Sequence, residues 1–443
     1  MPATRSVPAD FRLRHCWDFY WPLALTAMMM VGAQQVIDAS CRFAPDPDRE
    51  WATLAIAFGV LAIFRAFLAF LPQVINVLAD SPPNLRVCRR FSIALALFLS
   101  SGLAVMAYTP VGLAVLRATY AVQPVLIDRA RDYLAILVFL PLPIALRQFY
   151  AGVLIQNERT RRVTVGNAIS LGLLAALLFG GMSRGLPATM VIPVAMLVAE
   201  SANLLWLVCS RAEVRLAERP DLLTYRAMAR FFLPTAITTI MYAVSRPVMY
   251  AFVSRQADAE ATIAGLRLGF GIAMLFHMPL NQVRHLLVTY GESHLPLLRR
   301  FLAWLVGWDF VIMAAFVFSP AAMWSLRSVY RASPAVAERA WWVLAVLCLM
   351  PAVITLRNYY HGRLLVRRVT LAMGYGGLAR VGVIAGACAV VTACCRLGAV
   401  AAAIILIAGF GVEAAIGRLE ICRLRRREQR PGAADPDLFT EEP

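Results

Sequence analysis

Residues 133–152 read YLAILVFLPLPIALRQFYAG, and 210 positions further on residues 343–362 read VLAVLCLMPAVITLRNYYHG. Pro141 falls on Pro351, Leu146-Arg147 on Leu356-Arg357, Tyr150 on Tyr360 and Gly152 on Gly362. The echo continues towards the amino terminus at the same offset. It pairs Arg89-Arg90-Phe91 with Arg299-Arg300-Phe301, Pro110 with Pro320, Leu116-Arg117 with Leu326-Arg327, Tyr120 with Tyr330 and Pro124 with Pro334. From Arg89 to Thr160, 23 of 72 ungapped positions are identical, and biased composition accounts for roughly a quarter of that. Slightly different offsets pair Pro22 with Pro234 and Glu200 with Glu413. The chain is a duplication.

Both quoted segments are apolar over a bilayer's width, and so is most of the chain. Hydrophobic residues make up 60% and charged residues only 16%, with mean hydropathy +0.67, against roughly 25% charged in a soluble domain. Apolar runs near twenty residues suit helices crossing a hydrocarbon core of about 30 Å. The period-2 alternation of a membrane barrel is missing. The expected fold is therefore all-α and integral to the membrane, with twelve transmembrane helices in two parallel six-helix lobes. The spans fall at 17–38, 52–78, 91–116, 133–155, 163–181 and 187–209 (N-lobe, 17–209), then 231–253, 262–288, 301–326, 339–362, 369–394 and 400–417 (C-lobe, 231–417). Residues 1–16 form a cytoplasmic tail, 210–230 the inter-lobe linker and 418–443 a disordered cytoplasmic tail. Six spans per half is an even number, so the halves enter in the same sense and are related by rotation about the membrane normal.

The formal charge is +17, and all 43 basic residues are arginine. Placing both termini in the cytoplasm, and assigning Arg339 at the edge of its span to the outward loop, leaves 25 arginines in inward loops and tails, 11 in outward loops and seven within spans, as the positive-inside rule requires. That distribution speaks against nucleic acid as the partner of the charge. The nine cysteines show no zinc or redox spacing, and neither a metal nor another cofactor is expected. The first apolar run lacks a cleavage site and reads as a retained helix.

The seven intramembrane arginines are Arg65, Arg147, Arg246, Arg267, Arg284, Arg357 and Arg380; Asp38, Glu200, Asp309 and Glu413 stand against them. A charge at the bilayer centre costs about 2.5–3.5 kcal/mol on insertion scales and marks a functional site by default. Some pairs will hold helices together, and Arg267 and Arg284 are candidates for snorkelling to an interface. Four carboxylates cannot neutralise seven guanidinium groups, which do not deprotonate and which fork onto carboxylate or phosphate. A cleft lined by the remainder attracts anions. Arg246, Arg147 and Arg357 are the leading candidates for substrate contact, the last two because the repeat makes them equivalent. Arg65 and Arg380 follow. Asp38, Glu200 and Glu413 are candidates for carrying a coupling proton, and His277 is read as a core histidine. Pro22, Pro234, Pro247 and Pro279 are candidate kinks.

The first span, Trp21-Pro22-Leu23 through Gln34-Gln35-Val36-Ile37-Asp38, resembles the first helix of the MATE transporters, within the multidrug/oligosaccharidyl-lipid/polysaccharide (MOP) exporter superfamily. Ser245-Arg246-Pro247, Phe252-Val253-Ser254-Arg255 and His277-Met278-Pro279 resemble, in order and spacing, motifs of the progressive ankylosis protein family. Leu356-Arg357 with Gly362, and Gly411-Val412-Glu413, fit its later helices. This resemblance implies export of small polyanions: pyrophosphate, a nucleotide or citrate. The short loops and absence of lysine suit a bacterial inner membrane, and a monomer is expected. A flippase for an anionic lipid-linked precursor and a MATE-type drug antiporter are the alternatives. No nucleophile–base pair or long loop supports an enzyme.

Overall fold

In the computed structural model, residues 12–428 are described, apart from 70, 80, 158, 211–222, 291–293, 368 and 370. The described residues are mostly helical, with no strand among them. The first lobe comprises α1 (Leu13–Ser40), α2 (Pro47–Leu68), α3 (Leu71–Leu78), α4 (Pro82–Tyr108), α5 (Pro110–Thr119), α6 (Pro124–Leu137), α7 (Pro141–Gln156), α8 (Thr160–Met182) and α9 (Ala188–Ser210). The second comprises α10 (Tyr225–Val253), α11 (Ala259–Leu280), α12 (Val283–Tyr290), α13 (Leu295–Phe318), α14 (Pro320–Trp324), α15 (Pro334–Leu347), α16 (Met350–Val366), α17 (Leu371–Cys394) and α18 (Ala399–Glu428). Among the described residues, eight helices are long and apolar enough to cross a membrane; two bent pairs, α6–α7 and α15–α16, raise this to ten. With α1 and α10, of 28 and 29 residues, the architecture is twelve spans in two six-helix lobes.

The repeated residues turn out to be punctuation. Pro110, Pro124 and Pro141 open α5, α6 and α7 as Pro320, Pro334 and Pro351 open α14, α15 and α16. Proline suits a first turn because its missing N–H is an orphan there anyway. Thr109 and Ser319 cap the α5 and α14 amides. Both bent pairs turn by 48°. Pro141 and Pro351 lack the N–H that would bond to the carbonyls of Leu137 and Leu347, which breaks each span at the same place. The expected kinks at Pro22, Pro234 and Pro247 do not break the chain, since α1 and α10 run unbroken through them, while Pro279 lies one residue before the end of α11.

Gly152 and Gly362 explain themselves in the same way. A Cβ on Gly152 would meet the Pro72 carbonyl oxygen at 2.7 Å and Ile75 Cβ at 2.8 Å; on Gly362 it would meet Leu287 Cβ at 2.8 Å. Thus α7 lies on α3, and α16 on α12, at a separation only glycine permits. Gly152→Ala is expected to lower the thermal midpoint of purified protein through a clash worth about 1–3 kcal/mol; an unchanged midpoint would show that the two helices are free to part.

Two boundaries differ from the sequence reading. The last helix does not stop at Gly417 but continues to Glu428, because Ile421 and Leu424 pack with Leu364 and Met373. The expected linker is shortened, with α10 beginning at Tyr225. Most of that linker and the outer parts of both expected tails lie outside the described residues.

Each lobe's first helix also reaches across to the other. Near its start α1 sets Trp17 against Phe301 and Trp304 of α13 (centroids 6.5 and 5.9 Å), and Phe19 against Tyr290 of α12. Near its own start α10 sets Phe232 against Phe91 of α4, at 5.4 Å.

Candidate functional site

The lobes enclose a central cavity of about 420 Å³. From the first lobe, α1 contributes Met30, α2 Arg65 and α7 Arg147; from the second, α10 contributes Tyr242 and Arg246, α11 Phe270 and His277, and α18 Phe410. None of its lining residues is acidic. A smaller chamber of about 180 Å³ lies towards the face opposite the termini and shares Arg65 and Arg246; there Asp38, Arg267, Pro247 and Tyr250 join the wall. A third space of about 130 Å³ lies between α1, α7, α8 and α9 within the first lobe, around Arg147 and Glu200.

The carboxylates are shared out unequally. Asp38 accepts two hydrogen bonds from Arg267, at 2.7 and 3.0 Å, and a third from Gln34 at 3.1 Å. Arg267 is buried there, with Phe58 beneath it, so it does not snorkel. Arg147 pairs with Glu200 at 2.6 Å. In the second lobe Arg357 pairs with Glu413 at 2.9 Å, the shorter contact of Arg380 falls on the same carboxylate, and His361 lies 3.4 Å away. The repeat therefore predicts partners: the equivalent arginines Arg147 and Arg357 hold the equivalent glutamates Glu200 and Glu413. Arg380 is fully buried and also donates to the Ser245 hydroxyl. Tyr242 and Phe410, which line the cavity, present their rings to Arg357 and Arg380 at 4.7–5.7 Å and screen both from it. Of the five arginines expected to contact substrate, the structure brings Arg65, Arg147 and Arg246 to the cavity and sets Arg357 and Arg380 behind an aromatic wall.

Among the described residues, neither Arg65 nor Arg246 forms an ion pair with a carboxylate. Arg246 lies over the Phe270 ring, 5.2 Å from its centroid, and Arg65 opens onto the cavity from the opposite lobe. The position of Arg246 follows from α10, where it precedes Pro247; Ala243, whose carbonyl that proline leaves without an intrahelical donor, lines the same two spaces.

Bonds between the lobes gather at the face opposite the termini. Besides Arg267–Asp38, Arg49 meets Glu260 at 3.4 Å and the Tyr330 hydroxyl donates to Gln35 at 2.7 Å. The Ser333 amide donates to Asp48 at 3.2 Å, the Ala121 amide to the Ser254 hydroxyl at 3.0 Å, and Arg255 to the Thr119 and Ala118 carbonyls at 3.2 and 3.1 Å. Glu50, buried in the first lobe, accepts from the Tyr133 hydroxyl at 2.7 Å and is paired with Arg129. Sequence reasoning overlooked Glu50 because it lies outside the spans it marked, and overlooked His277 as a cavity residue by treating it alone.

No protein-family model matches the sequence, and no curated protein does. Solved structures do match. An inward-facing multidrug resistance MATE transporter of the MOP superfamily aligns over 91% of this chain and 98% of its own, with TM-score 0.68 and 14% identity. An outward-facing MATE transporter of the same superfamily aligns over 91% and 96%, with TM-score 0.54 and 16% identity. A MOP superfamily transporter from Pyrococcus furiosus, described as having a binding pocket of reverse polarity that suggests a different function, aligns over 91% and 96%, with TM-score 0.56 and 15% identity. The chain has the fold of the MATE transporters.

Proposed function

We propose that this chain is an inner-membrane transporter that exports a small polyanion of the pyrophosphate, nucleotide or citrate class by rocking its two lobes about the central cavity. One observation carries the reading: Arg65 and Arg246 face the cavity from opposite lobes without carboxylate partners, and no acidic residue lines it. Two guanidinium groups withheld from carboxylates and facing one enclosed space favour an anion there, and each can grip it with a planar fork. A cavity of a few hundred Å³ suits a small ligand. A reversed pocket polarity has been described for the Pyrococcus furiosus neighbour on the same fold. With the termini in the cytoplasm, the bonded face is the outer one, so the conformation here is closed to the outside. The test is reconstitution in liposomes with labelled pyrophosphate, nucleotide triphosphate and citrate, with and without a pH gradient. Movement of at least one of these is expected; movement of a lipophilic cation and of none of the anions sinks the proposal.

A second reading, a flippase for an anionic lipid-linked precursor, draws on one feature. A wide apolar groove lies between α2 and α4 of one lobe and α10 of the other, lined by Phe67, Phe91, Phe98, Phe232, Leu233 and Arg226. It could seat a lipid tail whose head entered the cavity. Transport of water-soluble anions by protein in which Leu233→Trp obstructs the groove would set this reading aside.

A further inference from the structure

The imidazole of His277 is buried in the cavity wall, and its Nε2 makes no hydrogen bond. Leu347 of α15 lines the same cavity, and Pro351 deprives its carbonyl of the helical donor, leaving an acceptor on the wall that the ring shares. A carbonyl only accepts. A neutral imidazole has one N–H and can serve either that carbonyl or a ligand acceptor; an imidazolium serves both.

The surroundings fix which form a ligand selects. Arg246 and Tyr242 line the same cavity from α10, Arg65 from α2 and Arg147 from α7, while α1, α15, α16 and α18 bring no ionisable group to it. On α13, Asp309 lies close enough to act on Cys348, beside Leu347, and is absent from the cavity wall. Empty, the cavity opposes a further positive charge first through burial of the ring and then through the arginines; with a polyanion seated there, the local field reverses. Helices α2 and α11 each have 22 residues and run in step at an offset of 212, so His277 holds in its lobe the place that Arg65 holds in the other. One lobe presents a fixed cation and the other a cation that can be switched on.

We propose that His277 is a substrate-binding residue that takes up a proton from cleft water when the anion binds, so that anion and proton occupy the site together. This rests on the anion reading above. The test uses full-length protein in detergent and calorimetry in two buffers of unlike ionisation enthalpy. The probe is trimetaphosphate, a trianion that carries no proton of its own near neutral pH, and the comparison is repeated with pyrophosphate. Wild type is expected to take up about one proton per anion bound, and its affinity to fall up to about tenfold per pH unit on the alkaline side. His277→Gln and His277→Asn keep an N–H donor but cannot charge; either should bind with no such uptake and a flat pH profile. A residue that only braces the bend would leave the proton count unchanged in these variants, and that result overturns the proposal, as does wild type binding without proton uptake. If wild type binds neither anion, the anion reading falls and this inference with it.

Discussion

Arg246→Ala is expected to abolish anion transport in proteoliposomes, by at least about a hundredfold, while the purified variant keeps its elution profile and thermal midpoint. The size follows from removing one partner of a buried charge-assisted contact, worth about 3–5 kcal/mol, and from the absence of any carboxylate that Arg246 would leave uncompensated. Arg246→Lys recovers only part of the rate, since an ammonium supplies a point charge without the planar fork. The contrast is Arg357→Ala, which leaves Glu413 still held by Arg380 and should act mainly on stability. Wild-type transport by Arg246→Ala would remove the residue from the site.

The second large effect lies at the seal. Asp38→Asn leaves Arg267 buried, at 8% exposure, with no anion beside it, and an uncompensated buried charge costs about 3–5 kcal/mol. The cheapest relief is parting of the lobes at that face, where water can reach the guanidinium. Cys41, fully buried three residues from Asp38, reports on this directly. With the exposed Cys209, Cys394, Cys395 and Cys422 changed to serine, a membrane-impermeant maleimide should label Cys41 in the Asp38→Asn variant far faster than in wild type. Equal protection in both would mean the bridge does not hold the face shut.

Much of this architecture was legible in the duplication. The repeated prolines and glycines are helix starts, bends and close contacts, so they report how each lobe is built. For the same reason they misdirected part of the site reading. Arg147 and Arg357 are equivalent because each lobe uses the same arginine–glutamate pair as a brace. The central cavity and the smaller chamber are instead where the halves differ: at the offset of 212, Arg65 answers to His277 and Gln34, in the smaller chamber, to Arg246. Counting charges gave an excess of arginine within the marked spans, seven to four, but not its distribution. Arg357 and Arg380 share Glu413, while one oxygen of half-buried Asp309 lacks any hydrogen bond. Which arginine goes without a partner depends on rotation about each helix axis, a tertiary quantity that no spacing records.

The reach of α1 and α10 across the divide has a mechanical consequence. Each lobe is stiffened internally where glycine lets its helices touch, so a lobe resists bending. Two stiff bodies joined by a pair of crossing straps retain one soft degree of freedom, a hinge rotation, with the straps as its springs. Elastic energy stored as the assembly swings then concentrates in α1 and α10, and the aromatic clasps of Trp17 and Phe232 set the stiffness against which any bound cargo must work.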